Sequence, residues 1–442
     1  MSTPTSNTSM ARVAAASLAG TTIEFYDFLI YGLAAGLVFN AVFFPEYGGA
    51  EGTWASIATF GVAFVFRPLG AIVFGHFGDR IGRKVTLVTT LLIMGLSTFA
   101  IGLLPSATSI GVVAVALLVT LRALQGFALG GEWAGAALLT TEHAGAKKRG
   151  AYATFPQLGP SVGLILAASV MLLFLNTLGQ DAFVSWAWRL PFLVSLVLVA
   201  VGMWVRLKIA ETPSFAKIKE QKAEVRLPFG DCIRDQWRQI LLGAGIMSTV
   251  FAAFYTGVAF LPGYGIQVVG LTFNQILFAL IIAGAVMSVA VIGSAILSDV
   301  IGRKAVLMTG MVVALAAGPI AFATMEPGSY GRYVLAMCLL LVVLGVSYGP
   351  MAAYLPEQFQ ARYRYTGAGL AYNLAGVLGG ALPLVIGDDL IAKWGPEGIG
   401  YFLTVNAVIS AVCLLMMKET KDRALDVTNE SPVPLTTDPA NA

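Results

Sequence analysis

Twelve long apolar runs, separated by short polar stretches, organise this chain. They cover approximately residues 18–40, 54–75, 85–104, 111–134, 151–174, 186–207, 239–261, 273–297, 304–324, 331–352, 366–389 and 397–417. Each approaches the ~20 residues a helix needs to cross a bilayer. The runs are continuous and lack two-residue alternation. That argues against a closed β-barrel, the other way to satisfy backbone polar groups in lipid. The expected fold is an all-α membrane protein with twelve transmembrane helices. One sizeable polar break divides them into two sets of six. The expected organisation is a segment 1–17, a six-helix bundle 18–207, a linker 208–238, a second six-helix bundle 239–417 and a tail 418–442. The tail is rich in proline, threonine and aspartate, lacks heptads and reads as disordered.

Composition agrees. Charged residues make up 12% of the chain, about half the share in soluble domains. All but five of the 27 lysines and arginines lie near the N-terminus, in alternate loops on one side, or in the tail. That bias marks the cytoplasmic side and puts both termini there. The expected location is the cell (plasma or inner) membrane. The basic linker reads as a solvated amphipathic segment near anionic headgroups. The first 17 residues have no apolar core, so no cleavable signal is expected.

The candidate chemistry is sparse. Three cysteines lack metal or disulfide spacing, and two histidines, His76 and His143, are too few for an imidazole metal site. No phosphate-cradling Gly-x-x-x-x-Gly-Lys-[Ser/Thr] box, zinc-protease box or nucleophile elbow occurs. The reading is therefore no enzyme, no ATP, no cofactor and no nucleic acid. The expected partners are a small metabolite, protons and the lipid bilayer, with the chain acting as a monomer.

The string Asp-x-x-Gly-Arg-Lys occurs twice. Asp79, Gly82, Arg83 and Lys84 form the first copy; Asp299, Gly302, Arg303 and Lys304 form the second, 220 residues on. Glu142 and Glu357 open further charged hairpins at nearly the same offset. Glu211-Thr212-Pro213 and Glu419-Thr420-Lys421 end the sixth and twelfth spans. Landmarks in matching order point to two pseudo-symmetric halves.

These residues carry a resemblance. The hairpin Gly75-His76-Phe77-Gly78-Asp79-Arg80-Ile81-Gly82-Arg83-Lys84 resembles the signature loop of the major facilitator superfamily. Arg122-Ala123-Leu124-Gln125-Gly126 and onward through Gly130-Gly131-Glu132-Trp133 resembles its fourth-helix motif. With Glu24-Phe25-Tyr26-Asp27-Phe28, Arg67-Pro68-Leu69-Gly70 and Tyr363-Arg364-Tyr365-Thr366-Gly367, the chain is similar to the metabolite:proton symporter branch. That branch includes carriers of shikimate, 2-oxoglutarate, citrate and proline/betaine. The resemblance implies a cytoplasmic gate at Gly75, Gly78, Asp79, Arg80, Gly82, Arg83, Glu142, Asp299, Gly302, Arg303 and Glu357. The second loop has Ala295 for Gly75 and Val300 for Arg80, which implies a weaker clamp.

Five charges fall inside spans: Glu24, Asp27, Arg67, Arg122 and Glu132. Each costs roughly 2.5–3.5 kcal/mol at the centre of a lipid-facing helix, so they should face a cavity or one another. Glu24 and Asp27 share a helix face, which Tyr31 continues. Asp27 lies about 13 Å into the first span, at a depth like that of Arg122. Asp27 with Arg122 is therefore the expected midplane pair. It reads either as a proton–substrate exchange site or as a fixed ion pair between two helices. The expected proton-coupling residues are Asp27, Glu24 and Glu132. The expected substrate ligands are Arg122, Arg67, Tyr31, Gln157, Tyr372 and Asn373. Gln157 has a second reading, as a bridge between helices. Gly126 and Gly130 read as a close-packing face. The expected function is proton-coupled uptake of a small polar metabolite, an organic acid anion such as shikimate or a di- or tricarboxylate. The alternatives are a proline/betaine-type zwitterion symporter and a membrane sensor with the same fold.

Overall fold

The computed structural model describes residues 10–81, 83–143, 149–207, 228–360 and 363–421. Among these the chain is helical, with no strand. The first bundle comprises α1 (Met10–Leu37), α2 (Gly49–Ile81), α3 (Arg83–Gly102), α4 (Val112–Gly130), α5 (Arg149–Leu178) and α6 (Arg189–Leu207). The second comprises α7 (Pro228–Tyr255), α8 (Phe273–Ile301), α9 (Arg303–Thr324), α10 (Tyr330–Tyr348), α11 (Arg364–Ala375) and α12 (Glu397–Met416). Four of them continue past an interruption. α4 resumes as Trp133–His143, α10 as Met351–Glu357, and α11 passes through a π-helical turn, Gly376–Ala381, into Leu382–Trp394. α7 is extended by π-helical turns at Thr256–Phe260 and Gly265–Val269.

Eleven helices among the described residues are long and apolar enough to cross a membrane. α1 is the twelfth. It spans 28 residues, but Thr21, Thr22, Glu24 and Asp27 lower its hydropathy. Of the expected gate, Gly78, Gly82 and the side chains of Asp79, Arg80, Arg83 and Glu142 lie outside the described residues. So do 1–9, 208–227 and 422–442 of the expected terminal and linker segments. The end of the expected linker is helical, because α7 begins at Pro228. Its backbone leaves helical geometry at Gln236 (φ −131°, ψ 22°). Around that kink Ile233 and Trp237 are exposed while Cys232 and Gln236 are buried. Such a pattern suits a helix lying at the membrane surface.

Between the bundles, α5 packs on α8 and α2 packs on α11. At the 220-residue offset, α2 corresponds to α8 and α5 to α11. Each interface is thus the image of the other. Within the first bundle, α4 lies directly on α2. A Cβ added at Gly126 would come within 2.2 Å of the Ala63 carbonyl oxygen, and one at Gly130 within 2.1 Å of the Arg67 carbonyl oxygen. The small face of α4 brings two backbones together and fixes Arg122 of α4 beside Arg67 of α2. Gly302 has φ +104°, a conformation open to glycine. It reverses the chain between α8 and α9 within one residue.

Candidate functional site

Arg122 is fully buried. Its guanidinium carbon lies 4.0 Å from the ring centroid of Phe28 and 4.2 Å from those of Tyr31 and Phe60. One nitrogen, Nη1, donates to Gln125 Oε1 at 2.8 Å, and Gln125 Nε2 donates to Thr98 Oγ1 at 2.7 Å. Among the described residues, Nε and Nη2 have no hydrogen-bond partner. Arg67 is held in the same manner, among Phe28, Phe64, Phe251 and Tyr372 at 5.1–6.0 Å. Its Nε donates to Asn373 Oδ1 at 3.0 Å, its Nη1 reaches Tyr255 Oη at 3.5 Å, and its Nη2 is unpartnered. Aromatic faces attract a cation, but they do not supply the hydrogen-bond acceptors these nitrogens lack.

The structure does not pair Asp27 with Arg122. Both Asp27 carboxylate oxygens are buried, and among the described residues neither has a hydrogen-bond partner. Oδ2 faces Gly95 of α3, where an added Cβ would sit 3.5 Å away, and Ser195 of α6 faces the same carboxylate. Equal depth did not decide the contact; direction around the helix did. Phe28 and Tyr31 occupy the side of α1 that meets Arg122, and Asp27 points toward α3 and α6. Glu24 and Glu132 are held elsewhere, both accepting from Nη2 of Arg206 on α6. Arg206 Nη1 donates to the Leu87 carbonyl of α3.

The remaining expected ligands join the two bundles. Asn373 Nδ2 donates at 2.8 Å to the Gly130 carbonyl, exposed where α4 breaks, and to the Gly369 carbonyl. Gln157 accepts from Trp133 Nε1 at 3.0 Å and donates to the Tyr348 carbonyl at 2.7 Å, the bridging arrangement. Trp133 stacks on Tyr372 with centroids 4.2 Å apart and planes 6° apart. Tyr348 and Tyr372 share a hydroxyl contact of 3.3 Å. The Tyr31 hydroxyl bonds Thr59 at 2.7 Å, while its ring faces Arg122. A small apolar cleft opens at this junction, with Tyr255, Tyr348, Tyr372, Phe251 and Phe25 among its walls.

Contacts close the site toward both ends. On the signature-loop side, Asp299 accepts from the backbone N–H groups of Gly150 and Ala151 at 3.0 Å each. A carboxylate from one bundle thus caps the N-terminus of α5 in the other. Arg303 binds Glu357 through two bonds of 2.7 and 2.9 Å and Asp299 at 3.2 Å, and Arg149 approaches Glu357 at 3.8 Å. The second loop therefore forms a clamp that joins the two bundles. Val300 is 64% exposed, so its substitution for an arginine leaves the clamp intact. Tyr365 Oη donates to the Gly131 carbonyl at 2.5 Å, and Gly75 lies against Thr366 and Tyr365. On the opposite side, Gln267 Nε2 donates to Thr53 at 3.2 Å, and Trp54 stacks on Phe260 at 5.2 Å. Gly36 abuts Pro262 and Gly263 there. One side is latched by ions and helix ends, the other mainly by rings and close backbones.

Sequence reasoning missed Arg206, which its position at a span end assigned to the linker. A signal was present: the first bundle buries three acids against two recognised bases, so one more cation was owed. Trp133 and Tyr365 were read only as parts of motifs. Their contacts depend on the break after Gly130, which apolar patterning does not reveal.

Comparisons with known proteins bear on the family and the fold. The sequence profile described as Major Facilitator Superfamily matches residues 25–384. The inner membrane metabolite transport protein YhjE of Escherichia coli K12 is 40% identical, over 94% of this chain and 95% of its own. The shikimate transporter of the same organism is 38% identical, over 93% and 95%. The proline/betaine transporter of Salmonella typhimurium is 32% identical, over 93% and 84%. Among solved structures, the proton:xylose symporter XylE bound to 6-bromo-6-deoxy-D-glucose superposes with a TM-score of 0.72. At 16% identity, covering 94% of this chain and 97% of XylE, it shows a shared fold. The chain belongs to the Major Facilitator Superfamily and is a multi-pass membrane transporter.

Proposed function

We propose that this chain is a proton-coupled symporter that brings a small organic anion into the cytoplasm by alternating access. The observation that carries the reading is the separation of Asp27 from two unsaturated arginines within one buried bundle. An ionised carboxylate without a partner is costly to enclose. Asp27 is therefore the group to take a proton before the site closes and to release it when water enters. Arg122 and Arg67 keep free N–H donors for a substrate carboxylate. Tyr255, Tyr348 and Tyr372 close around it from the second bundle. The two interfaces, α5 with α8 and α2 with α11, are the surfaces on which one bundle rocks against the other. The signature-loop side is assigned to the cytoplasm from the excess of lysine and arginine there.

A metabolite transporter and a shikimate transporter among the relatives support the substrate class. The proline/betaine relatives keep a zwitterion in view. Two guanidinium groups with free donors favour the anion. The test is uptake of candidate acids into proteoliposomes, with and without an inward proton gradient. Accumulation should require the gradient. Uptake unchanged when the gradient is collapsed would overturn the symport assignment.

A further inference from the structure

Resting on that reading, we infer that Gln125, braced by Thr98, is a positioning residue that holds Arg122 away from Asp27 and so leaves the carboxylate free to take a proton. Asp27 and Arg122 are opposite charges buried in one bundle, yet among the described residues no hydrogen bond joins them. In a low-dielectric interior, Coulomb attraction alone would draw two such groups together. A third group must hold them apart.

A chain of hydrogen bonds from α4 to α3 does so. The Thr98 hydroxyl donates to the Met94 carbonyl at 2.9 Å. With its proton committed, the hydroxyl oxygen meets Gln125 as an acceptor, and Gln125 Nε2 donates to it at 2.7 Å. That bond fixes which way the amide faces, because its NH₂ end only donates and its carbonyl end only accepts. Gln125 Oε1 is thereby turned to Arg122 and accepts from Nη1 at 2.8 Å. Thr98, Gln125 and Arg122 are all fully buried, so bulk water does not compete for these bonds. The tether is anchored on the helix that Asp27 faces. Asp27 Oδ2 points to Gly95, and Thr98 stands three residues further along the same face of α3, about 4.5 Å along the axis. A guanidinium released from Gln125 has about one helical turn to cover, a distance within reach of a long side chain that changes rotamer.

The other charges around α1 are committed elsewhere. Glu24 and Glu132 accept from Arg206, Arg189 donates to the Leu104 carbonyl, and Arg67 is bonded to Asn373 and Tyr255. Arg149, at the start of α5, approaches Glu357. The hydroxyls of Tyr26 and Tyr31 bond the Pro191 carbonyl and Thr59. Beyond Lys84, α3 carries no charged or titratable side chain, and α6 turns Ser195 to the carboxylate. Arg122 is therefore the cation whose position decides how Asp27 is balanced. Paired with it, Asp27 would stay ionised, and the guanidinium would lose donors that an anion needs. Held apart, both remain available.

The full-length protein, purified in detergent, tests this without a substrate. Infrared spectra recorded across a pH series show the protonated carboxyl of Asp27 as the band that Asp27→Asn removes. Gln125→Leu deletes the tether. The band should then disappear at least about one pH unit lower than in the wild type, the smallest shift expected when a cation comes within reach of a carboxylate. Thr98→Val removes the brace with little change of shape and should act in the same direction, while Thr98→Ser keeps the hydroxyl and the wild-type titration. In an Arg122→Gln background, Gln125→Leu should move nothing, because the cation it would release is gone. A wild-type titration in both Gln125→Leu and Thr98→Val would overturn the tether. Equal shifts in Thr98→Val and Thr98→Ser would overturn it too, as would a shift that persists without Arg122, since either marks a packing defect. If Gln125→Leu fails to fold, the two Thr98 variants decide. Proteoliposomes separate this inference from the symport reading. Full gradient-driven uptake of shikimate in Asp27→Asn would overturn symport through Asp27, whereas the titrations decide the tether itself. A wild type with no Asp27-dependent band at any pH would overturn both.

Discussion

Two groups of carboxylates sit in the first bundle, and their surroundings differ. Asp27 is enclosed between α1, α3 and α6 with both oxygens unpartnered. Glu24 and Glu132, from α1 and the break after α4, share one guanidinium nitrogen of Arg206. All three acids are buried to 2% exposure or less. Burial is thus common to all three, and their partners differ. Glu24 and Glu132 set two carboxylates against one guanidinium, whereas neither oxygen of Asp27 has a hydrogen-bond partner among the described residues. A carboxylate left alone exchanges its proton whenever water reaches it.

The largest effect should come from Asp27→Asn. The amide keeps the shape and removes the titrating group. Gradient-driven accumulation should fall by about 100-fold or more, in line with the loss of a positioned acid–base group. Exchange of external for internal substrate should survive, because the arginine cages remain. Counterflow and driven uptake, measured on the same proteoliposomes, separate the two activities. Full driven uptake in this variant would remove the contrast between Asp27 and the paired glutamates.

Much of this was legible in the sequence because hydrophobic runs and repeats are one-dimensional. Twelve spans, two halves and the five intramembrane charges follow from composition along the chain. The role of Gly126 and Gly130 follows from spacing on one helix. What escaped depended on angle and on partners distant in sequence. Asp27 and Phe28 are neighbours in the chain, yet they face different helices, so equal depth does not bring Asp27 to Arg122. Asn373 and Gln157 are polar residues in apolar runs, which suits a ligand and, for Gln157, equally a bridge between helices; here both join the bundles.

A smaller effect sharpens the other side of the contrast. Arg206→Met leaves Glu24 and Glu132 facing each other without a cation. Removing one partner of a buried ion pair costs about 3–5 kcal/mol, and thermal unfolding in detergent should register a loss of that order. Adding Glu24→Gln and Glu132→Gln to Arg206→Met should recover most of it, because no buried charge then remains. Glu132→Gln alone keeps a one-to-one pair of Glu24 with Arg206 and should preserve driven uptake. If Glu132→Gln abolished accumulation as fully as Asp27→Asn does, the cluster would have to be counted as part of the proton path.

The smallest effect concerns a carboxylate outside the membrane spans, where a third kind of partner acts. Glu419 follows α12 and folds onto the start of α9. Its oxygens accept from the backbone N–H groups of Arg303 at 3.2 Å, Lys304 at 2.9 Å, Thr420 at 2.7 Å and Lys421 at 2.9 Å. Partial burial alone would raise its pKa; bonds from Lys421, Lys304, Thr420 and Arg303 outweigh that and leave it below the ordinary glutamate value. The sign follows. A depressed folded-state pKa adds stability above the unfolded value, near pH 4.3, and that stability disappears as the pH falls through the folded value. Glu419→Gln should therefore lower the unfolding temperature at neutral pH, and wild type and variant should converge once the medium is more acidic than the folded carboxyl. Because the side chain is largely exposed and screened, the difference should stay below about 1 kcal/mol. A difference that persists unchanged in acid would mean that the bonds matter through shape rather than charge, and Glu419 would then fall outside the series that runs from Asp27 to the Arg206 cluster.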